Sequence, residues 1–204
     1  MTTVTVIGAG NIGSAVAGIA VEAGAQVQVV ARDAAKATVR PGVVPTTFGE
    51  PLTGEIVVLA LPYGALADVV TTYGGALDGK VVVDVTNPLD FSTFDSLVVP
   101  QGSSAAAELQ AQLPSARVLK AFNTNFAATL ASKKVGDTDT TVLVAGDDAA
   151  AKDALLALVR DGGLRAEDAG SLQRAHELEA LGFLQLTLAA GEKTSWTTGF
   201  ALGR

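Results

Sequence analysis

A short β-type run at residues 4–7 leads straight into Gly8-Ala9-Gly10-Asn11-Ile12-Gly13, and a helix of small residues follows. A strand that turns directly into a helix needs glycine at the bend, so this hexapeptide commits the chain to a βα unit. Gly8 permits the tight turn. Gly10 lets the backbone approach a diphosphate with no side chain in the way, and Gly13 lets the helix pack closely on the strand. The helix N-terminus then meets the phosphates with free N–H groups and the positive end of its dipole, and Asn11 and Ile12 in this turn are expected to bind the cofactor with the glycines. Such a pattern arises by chance in a chain with 22 glycines. Its position after a strand, before a helix and about twenty residues ahead of a second strand marks it as a dinucleotide-binding turn.

That second strand is expected at residues 26–31. At its end, where a protein preferring NAD would place Asp or Glu against the ribose 2′-hydroxyl, stands Arg32. Lys36, one helical turn further, offers a second cation to a 2′-phosphate. The expected cofactor is NADP. The competing assignment gives the ribose hydroxyl to Asp33 and leaves Arg32 as a solvated surface charge.

The rest of the chain alternates strand and helix. Strands are expected at 46–48, 55–62, 80–86, 117–122, 140–145 and 164–168, with helices at 64–72, 104–113, 149–160 and 172–190. Several strands, such as Ile56-Val57-Val58-Leu59-Ala60-Leu61, are apolar on both faces, as inner strands of a covered parallel sheet are. Asp147 or Asp148 starts the helix at 149, and Gly162-Gly163 ends it. The fold class is α/β, a doubly wound Rossmann-type parallel sheet with a C-terminal helical segment. Residues 1–204 form one domain, with 171–204 as helix and tail. The last helix carries an apolar stripe, Leu172, Ala175, Leu178 and Leu181, and is then apolar nearly all round, with Glu179 and Gln185 as interruptions. It lies either across the sheet or at a subunit interface.

Composition narrows the function. With 204 residues, 49% hydrophobic and 17% charged, the chain builds a well-covered core, and its low surface charge points to a subunit interface. A net charge of −7 leaves no broad basic face for nucleic acid or anionic lipid. No cysteine is present, which removes thiolate chemistry, and no His-plus-carboxylate pattern suggests a metal. The N-terminus lacks a signal peptide and no apolar run is long enough to span a bilayer, so the expected location is cytoplasmic.

Ligands of such sheets lie at the carboxyl ends of the strands. Those ends offer Ala60-Leu61-Pro62, Asn87 and Asn123, whose backbone and amide groups can orient a nicotinamide carboxamide and a second ring beside it. Asn87-Pro88 as a plain turn and Asn123 as a loop cap are the bland alternatives. The single histidine, His176, reads as a surface or half-buried residue more readily than as a catalyst. Lys120 is either an edge-strand charge or a phosphate or substrate ligand. Lys133-Lys134 is a solvated pair or a holder of an anionic substrate tail. No residue stands out as a proton donor, so no catalytic side chain is assigned. Direct hydride transfer between two rings held face to face needs none, whereas carbonyl reduction does.

In order and spacing the glycine turn, Ala31-Arg32 with Lys36, Val57-Val58-Leu59-Ala60-Leu61-Pro62, Val83-Asp84-Val85-Thr86-Asn87-Pro88 and Val118-Leu119-Lys120-Ala121-Phe122-Asn123-Thr124 resemble the deazaflavin-dependent NADP oxidoreductases. The likeness covers almost the whole chain, including the aromatic, glycine-containing stretch at 196–203. It departs at Ala31, where Ser or Thr often precedes the arginine. The resemblance implies a dimeric enzyme that moves hydride between NADPH and coenzyme F420, a deazaflavin. Related proteins with the same core use flavin, which keeps another small acceptor as an alternative. A hydroxyacid or imine reductase and a non-catalytic NADP sensor are the other readings.

Overall fold

The computed structural model describes residues 1–37 and 41–203, without the side chain of Lys36. The elements in chain order are β1 (Thr3–Ile7), α1 (Asn11–Glu22), β2 (Gln26–Ala31), β3 (Val43–Thr47), β4 (Ile56–Leu59), α2 (Leu66–Tyr73), β5 (Val81–Asp84) and α3 (Ala105–Gln112). There follow β6 (Arg117–Lys120), α4 (Ala127–Ser132), a hairpin of β7 (Lys134–Val135) and β8 (Thr138–Asp139), β9 (Thr141–Gly146), α5 (Ala149–Asp161), β10 (Arg165–Gly170) and α6 (Ala175–Ala190). Eight strands form one sheet in the order β10-β9-β6-β5-β4-β1-β2-β3. This is the Rossmann-type α/β fold expected from the alternation of elements.

Side chains on the two faces of each strand enter two separate cores. Val4, Val6, Ile56 and Val58 pack on the side of α1, α4 and α5, while Val57, Leu59 and Val82 meet Leu66, Val69 and Leu109 from α2 and α3. Burial on both faces is why these strands read as unbroken apolar runs. Pro45 is accommodated in β3 because that strand lies at the sheet edge. Ser104 caps α3 by accepting from the Ala107 N–H at 3.0 Å. Asp148, rather than Asp147, caps α5, accepting from the Ala151 N–H at 2.8 Å. Asp147 instead accepts from the Leu172 N–H at 2.9 Å, tying β9 to the approach of α6.

One expectation is modified. The sheet is parallel from β3 to β6, but β9 pairs antiparallel with β6, and β10 is parallel to β9, so the last two strands run the other way. A parallel return needs a crossover long enough to carry the chain back along the sheet. The six residues of α4 rise only about 9 Å, and the β7–β8 hairpin follows at once, so β9 enters from the carboxyl end of β6. The reversal leaves β10 ending at the opposite end of the sheet, and α6 therefore climbs back toward the carboxyl ends of β5 and β6. No helix among the described residues is long and apolar enough to cross a membrane.

Candidate functional site

The glycine turn sits where β1, β2 and β4 end in register, with Ile7 beside both Val30 and Leu59. The Gly8 N–H donates to Val30 O and the Ala60 N–H to Ile7 O, each at 2.8 Å. Gly8 has φ +117°, and a Cβ there would strike the Ala60 carbonyl. A Cβ on Gly13 would strike the Gly8 carbonyl. The fold itself therefore demands these two glycines. Gly10 differs: a Cβ there would meet nothing within 4 Å. It occupies the N-cap of α1 with no side-chain cap, and no acidic residue lies in the first turn. Nothing in the described chain requires a glycine at position 10, whereas a ligand approaching the backbone would.

Two cavities meet at this helix start. The first, about 690 Å³, has Gly8 and Gly10 at its floor and Arg32, Phe48, Leu61 and Asp68 around it, with Ala60 and Pro62 also on its wall. The second, about 370 Å³, begins at the next residues, Asn11 and Ile12, and continues past Asn87 and Asn123 to Phe126 and Trp196. Arg32 stands exposed at the first cavity, while no charged residue lines the second among the described residues. An Asp33 oxygen caps the short turn that follows β2, accepting from the Ala35 N–H at 3.1 Å. The Lys36 side chain lies outside the described residues. The structure thus separates the residues singled out from the sequence: Gly8, Gly10, Arg32, Ala60, Leu61 and Pro62 surround one cavity, and Asn11, Ile12, Asn87 and Asn123 surround the other.

The two asparagines hold each other. Asn87 Nδ2 donates to Asn123 O at 2.8 Å, Asn123 Nδ2 donates to Asn87 Oδ1 at 2.9 Å, and the same nitrogen donates to Leu178 O in α6 at 2.8 Å. A Cβ on Gly182 would collide with Asn87 Oδ1, so α6 lies directly on the pair. Phe122, buried just after β6, adopts φ 63°. Such a left-handed residue costs about 1–2 kcal/mol, and the turn it makes brings Asn123 to Asn87.

Beneath the pair, Lys120 is fully buried in the sheet interior, between β5 and β9. It is not an edge-strand charge, and it lines neither cavity. Its Nζ donates to Asp84 Oδ2 at 2.8 Å and to Thr86 O at 2.6 Å, and forms an ion pair with Glu179 at 2.8 Å. Asp84 also accepts from the Thr86 N–H at 2.8 Å. Glu179 accepts from the Ala105 and Ala106 N–H groups that open α3, at 2.9 and 3.4 Å. Burial raises the Glu179 carboxyl above its usual range, opposed by Lys120.

The remaining candidates lie elsewhere. His176 pairs through Nδ1 with Ser103 O at 3.0 Å and lines neither cavity. Lys133 and Lys134 are paired with Glu22 at 2.6 Å and Asp139 at 2.5 Å. Reading the sequence did not single out Trp196, or assign Glu179, Gly182 and Gln185 to the site. The signal was available for two of them: Glu179 and Gln185 break an otherwise apolar helix, and a buried polar side chain in such a helix needs a partner.

The profile of the family described as coenzyme F420-dependent NADP oxidoreductase matches residues 3–88. An F420-dependent NADP reductase of Methanocaldococcus jannaschii is 30% identical over 148 residues, which are 71% of this chain and 66% of that protein. The chain therefore spans about two thirds of that relative's length. A crystal structure from Arthrobacter sp. FB24, provisionally assigned as an F420-dependent NADP reductase, superposes with a TM-score of 0.85 at 27% identity, covering 98% of this chain and 99% of that one. The imine reductase of Myxococcus stipitatus in complex with NADP+ shares the fold, with a TM-score of 0.69 at 20% identity over 94% of this chain and 63% of that one.

Proposed function

The chain belongs to the coenzyme F420-dependent NADP oxidoreductases, and on that premise we propose that it is an enzyme transferring hydride between NADPH and a deazaflavin coenzyme. The observation that carries the cofactor assignment is the position of Gly10, which no neighbour in the chain requires to be glycine and which separates the two cavities at the start of α1. A dinucleotide laid across that point has its diphosphate at the uncapped helix terminus, its adenosine half in the larger cavity and its nicotinamide half toward Asn87 and Asn123.

Each residue then has a task. Gly8 and Gly13 hold the strand-to-helix bend, Gly10 leaves room for the diphosphate, and the N–H groups at Asn11 and Ile12 face it. Arg32 binds the 2′-phosphate through charge-assisted hydrogen bonds. Ala60, Leu61 and Pro62 wall the adenosine half. Asn87 and Asn123 fix each other and α6, and so shape the second cavity. NADPH supplies the hydride, and the protein contributes positioning and exclusion of water.

The uncharged lining of the second cavity suits a ring system and not a phosphate tail. A flavin is the alternative acceptor on the same ground. The outward side of α6, with Leu184 half exposed, is the surface we assign to a homodimer contact, testable by light scattering. A cytoplasmic location fits an enzyme drawing on NADPH. The test of function is to mix the purified protein with NADPH and the oxidised deazaflavin. Bleaching of the deazaflavin is expected; no change, with flavins or quinones reacting instead, would move the assignment to another acceptor.

A further inference from the structure

One wall of the second cavity comes from the tail that follows α6. Trp196, the chain's single tryptophan, lines this cavity and leans on Phe126 with ring centroids 5.1 Å apart, yet half of it is exposed. Its place is built by the fold. The Thr198 N–H donates to Ser195 O at 3.3 Å and closes a turn around Trp196. Gln185, buried in α6, donates from Nε2 to Thr124 O at 3.1 Å and accepts the Phe200 N–H at Oε1 at 2.8 Å. A Cβ on Gly199 would run into that same Oε1, so the tail can lie against Gln185 only with glycine there. A buried amide thus commits both its ends to fastening the tail beside the cavity.

The amide nitrogens of the lining asparagines are largely engaged, whereas Asn123 Oδ1 and Asn125 Oδ1 are buried with no hydrogen-bond partner among the described residues. Asn87 and Asn123 bond to each other, and Asn125 Nδ2 donates to Thr141 O at 3.1 Å. No charge lines the cavity among the described residues. What it offers a ligand is aromatic and aliphatic surface, with the amide oxygens of Asn123 and Asn125 as hydrogen-bond acceptors.

We propose that Trp196 is the stacking wall for the ring of the hydride acceptor, and that acceptors are selected here by the face of a fused heteroaromatic ring. This rests on the acceptor being a deazaflavin as assigned above. The nicotinamide approaches from the Asn11 side and the acceptor ring from the Trp196 side.

The test is calorimetric titration of the NADP+-saturated protein with oxidised deazaflavin and, separately, with FMN, for the wild type, Trp196→Ala and Trp196→Phe. Circular dichroism checks that the variants fold. Stacking on one aromatic predicts that Trp196→Ala raises the deazaflavin Kd about tenfold or more, with Trp196→Phe recovering most of the loss. The NADP+ Kd should change far less than the deazaflavin Kd, because the diphosphate and adenosine half are assigned to the first cavity, which Trp196 does not line. An unchanged deazaflavin Kd in Trp196→Ala overturns the stacking role and leaves the deazaflavin assignment standing. Binding of FMN but not deazaflavin, with the same dependence on Trp196, supports the stacking wall and overturns the assigned acceptor. Binding of neither ring to the wild type overturns both.

Discussion

Lys120 Nζ lies 2.8 Å from a carboxylate oxygen of Glu179, and neither side chain has any exposed surface. Asp84, equally buried, is the second partner of the same ammonium group. These charges join β5 and β6 to α6, and both backbone groups of Thr86 bind to them, immediately before Asn87. The ion cluster is the foundation on which the asparagine pair stands.

Removing its cation should be costly. Lys120→Met leaves two carboxylates buried without their counterion, and breaking a buried pair in this way costs about 3–5 kcal/mol. The urea midpoint should fall accordingly with the slope unchanged. Glu179→Gln keeps the shape and an acceptor for Lys120 and should cost less. A loss below about 1 kcal/mol for Lys120→Met would show that the cluster contributes little to stability.

The glycines of the turn should separate by role. Gly10→Ala meets no neighbour, so its melting temperature should barely move, as for an uncrowded surface change of about 0.5 kcal/mol or less. Its affinity for NADPH should nevertheless fall tenfold or more, about 1.4 kcal/mol. Gly13→Ala forces a side chain into the Gly8 carbonyl and should destabilise by roughly 1–3 kcal/mol. Thermal melts paired with calorimetry of both variants check this. Equal NADPH binding by Gly10→Ala and wild type would sink the diphosphate assignment.

Arg32→Asp should weaken NADPH far more than NADH. A charge-assisted contact to phosphate is worth on the order of 1.5–3 kcal/mol, and the new carboxylate repels the 2′-phosphate. Fluorescence titration with the two dinucleotides measures the difference. An equal loss for both would place the guanidinium away from the phosphate.

Tyr63, at the end of the β4 loop, donates its hydroxyl to Glu108 at 2.5 Å. That hydrogen bond, reinforced by burial and the negative charge of Glu108, pushes its pKa up to about 12. Because the folded value lies above the unfolded one, the stabilisation is fully present below pH 10 and is lost as pH rises toward about 12. Ultraviolet titration should show one tyrosine ionising at the higher value, and Glu108→Gln should bring that transition down. If the substitution leaves the titration unchanged, the hydrogen bond does not control Tyr63.

Much of this was readable along the chain because the signals are local. The bend after β1 shows in Gly8, the end of α5 in Gly162-Gly163, and the covered strands in runs such as Val81-Val82-Val83. That Gly10 and Arg32 share one cavity was legible for the same reason: each stands just after one of two neighbouring parallel strands that end in register. The other half of the site was not. Lys120 looks like any strand-borne charge until its two carboxylates, 36 and 59 residues away in sequence, are placed beside it.

By itself the sequence determined the order of elements, the two-sided burial of the sheet and the glycine-built strand-to-helix turn, since each depends on neighbours within a few residues. The tertiary structure alone decided that β9 reverses against β6 and that α6 consequently returns to the site. That return lets Glu179 meet Lys120, Gly182 seat Asn87 and Gln185 fasten the tail bearing Trp196. These contacts join residues distant in the chain, and their energies depend on burial and orientation, which no local pattern encodes.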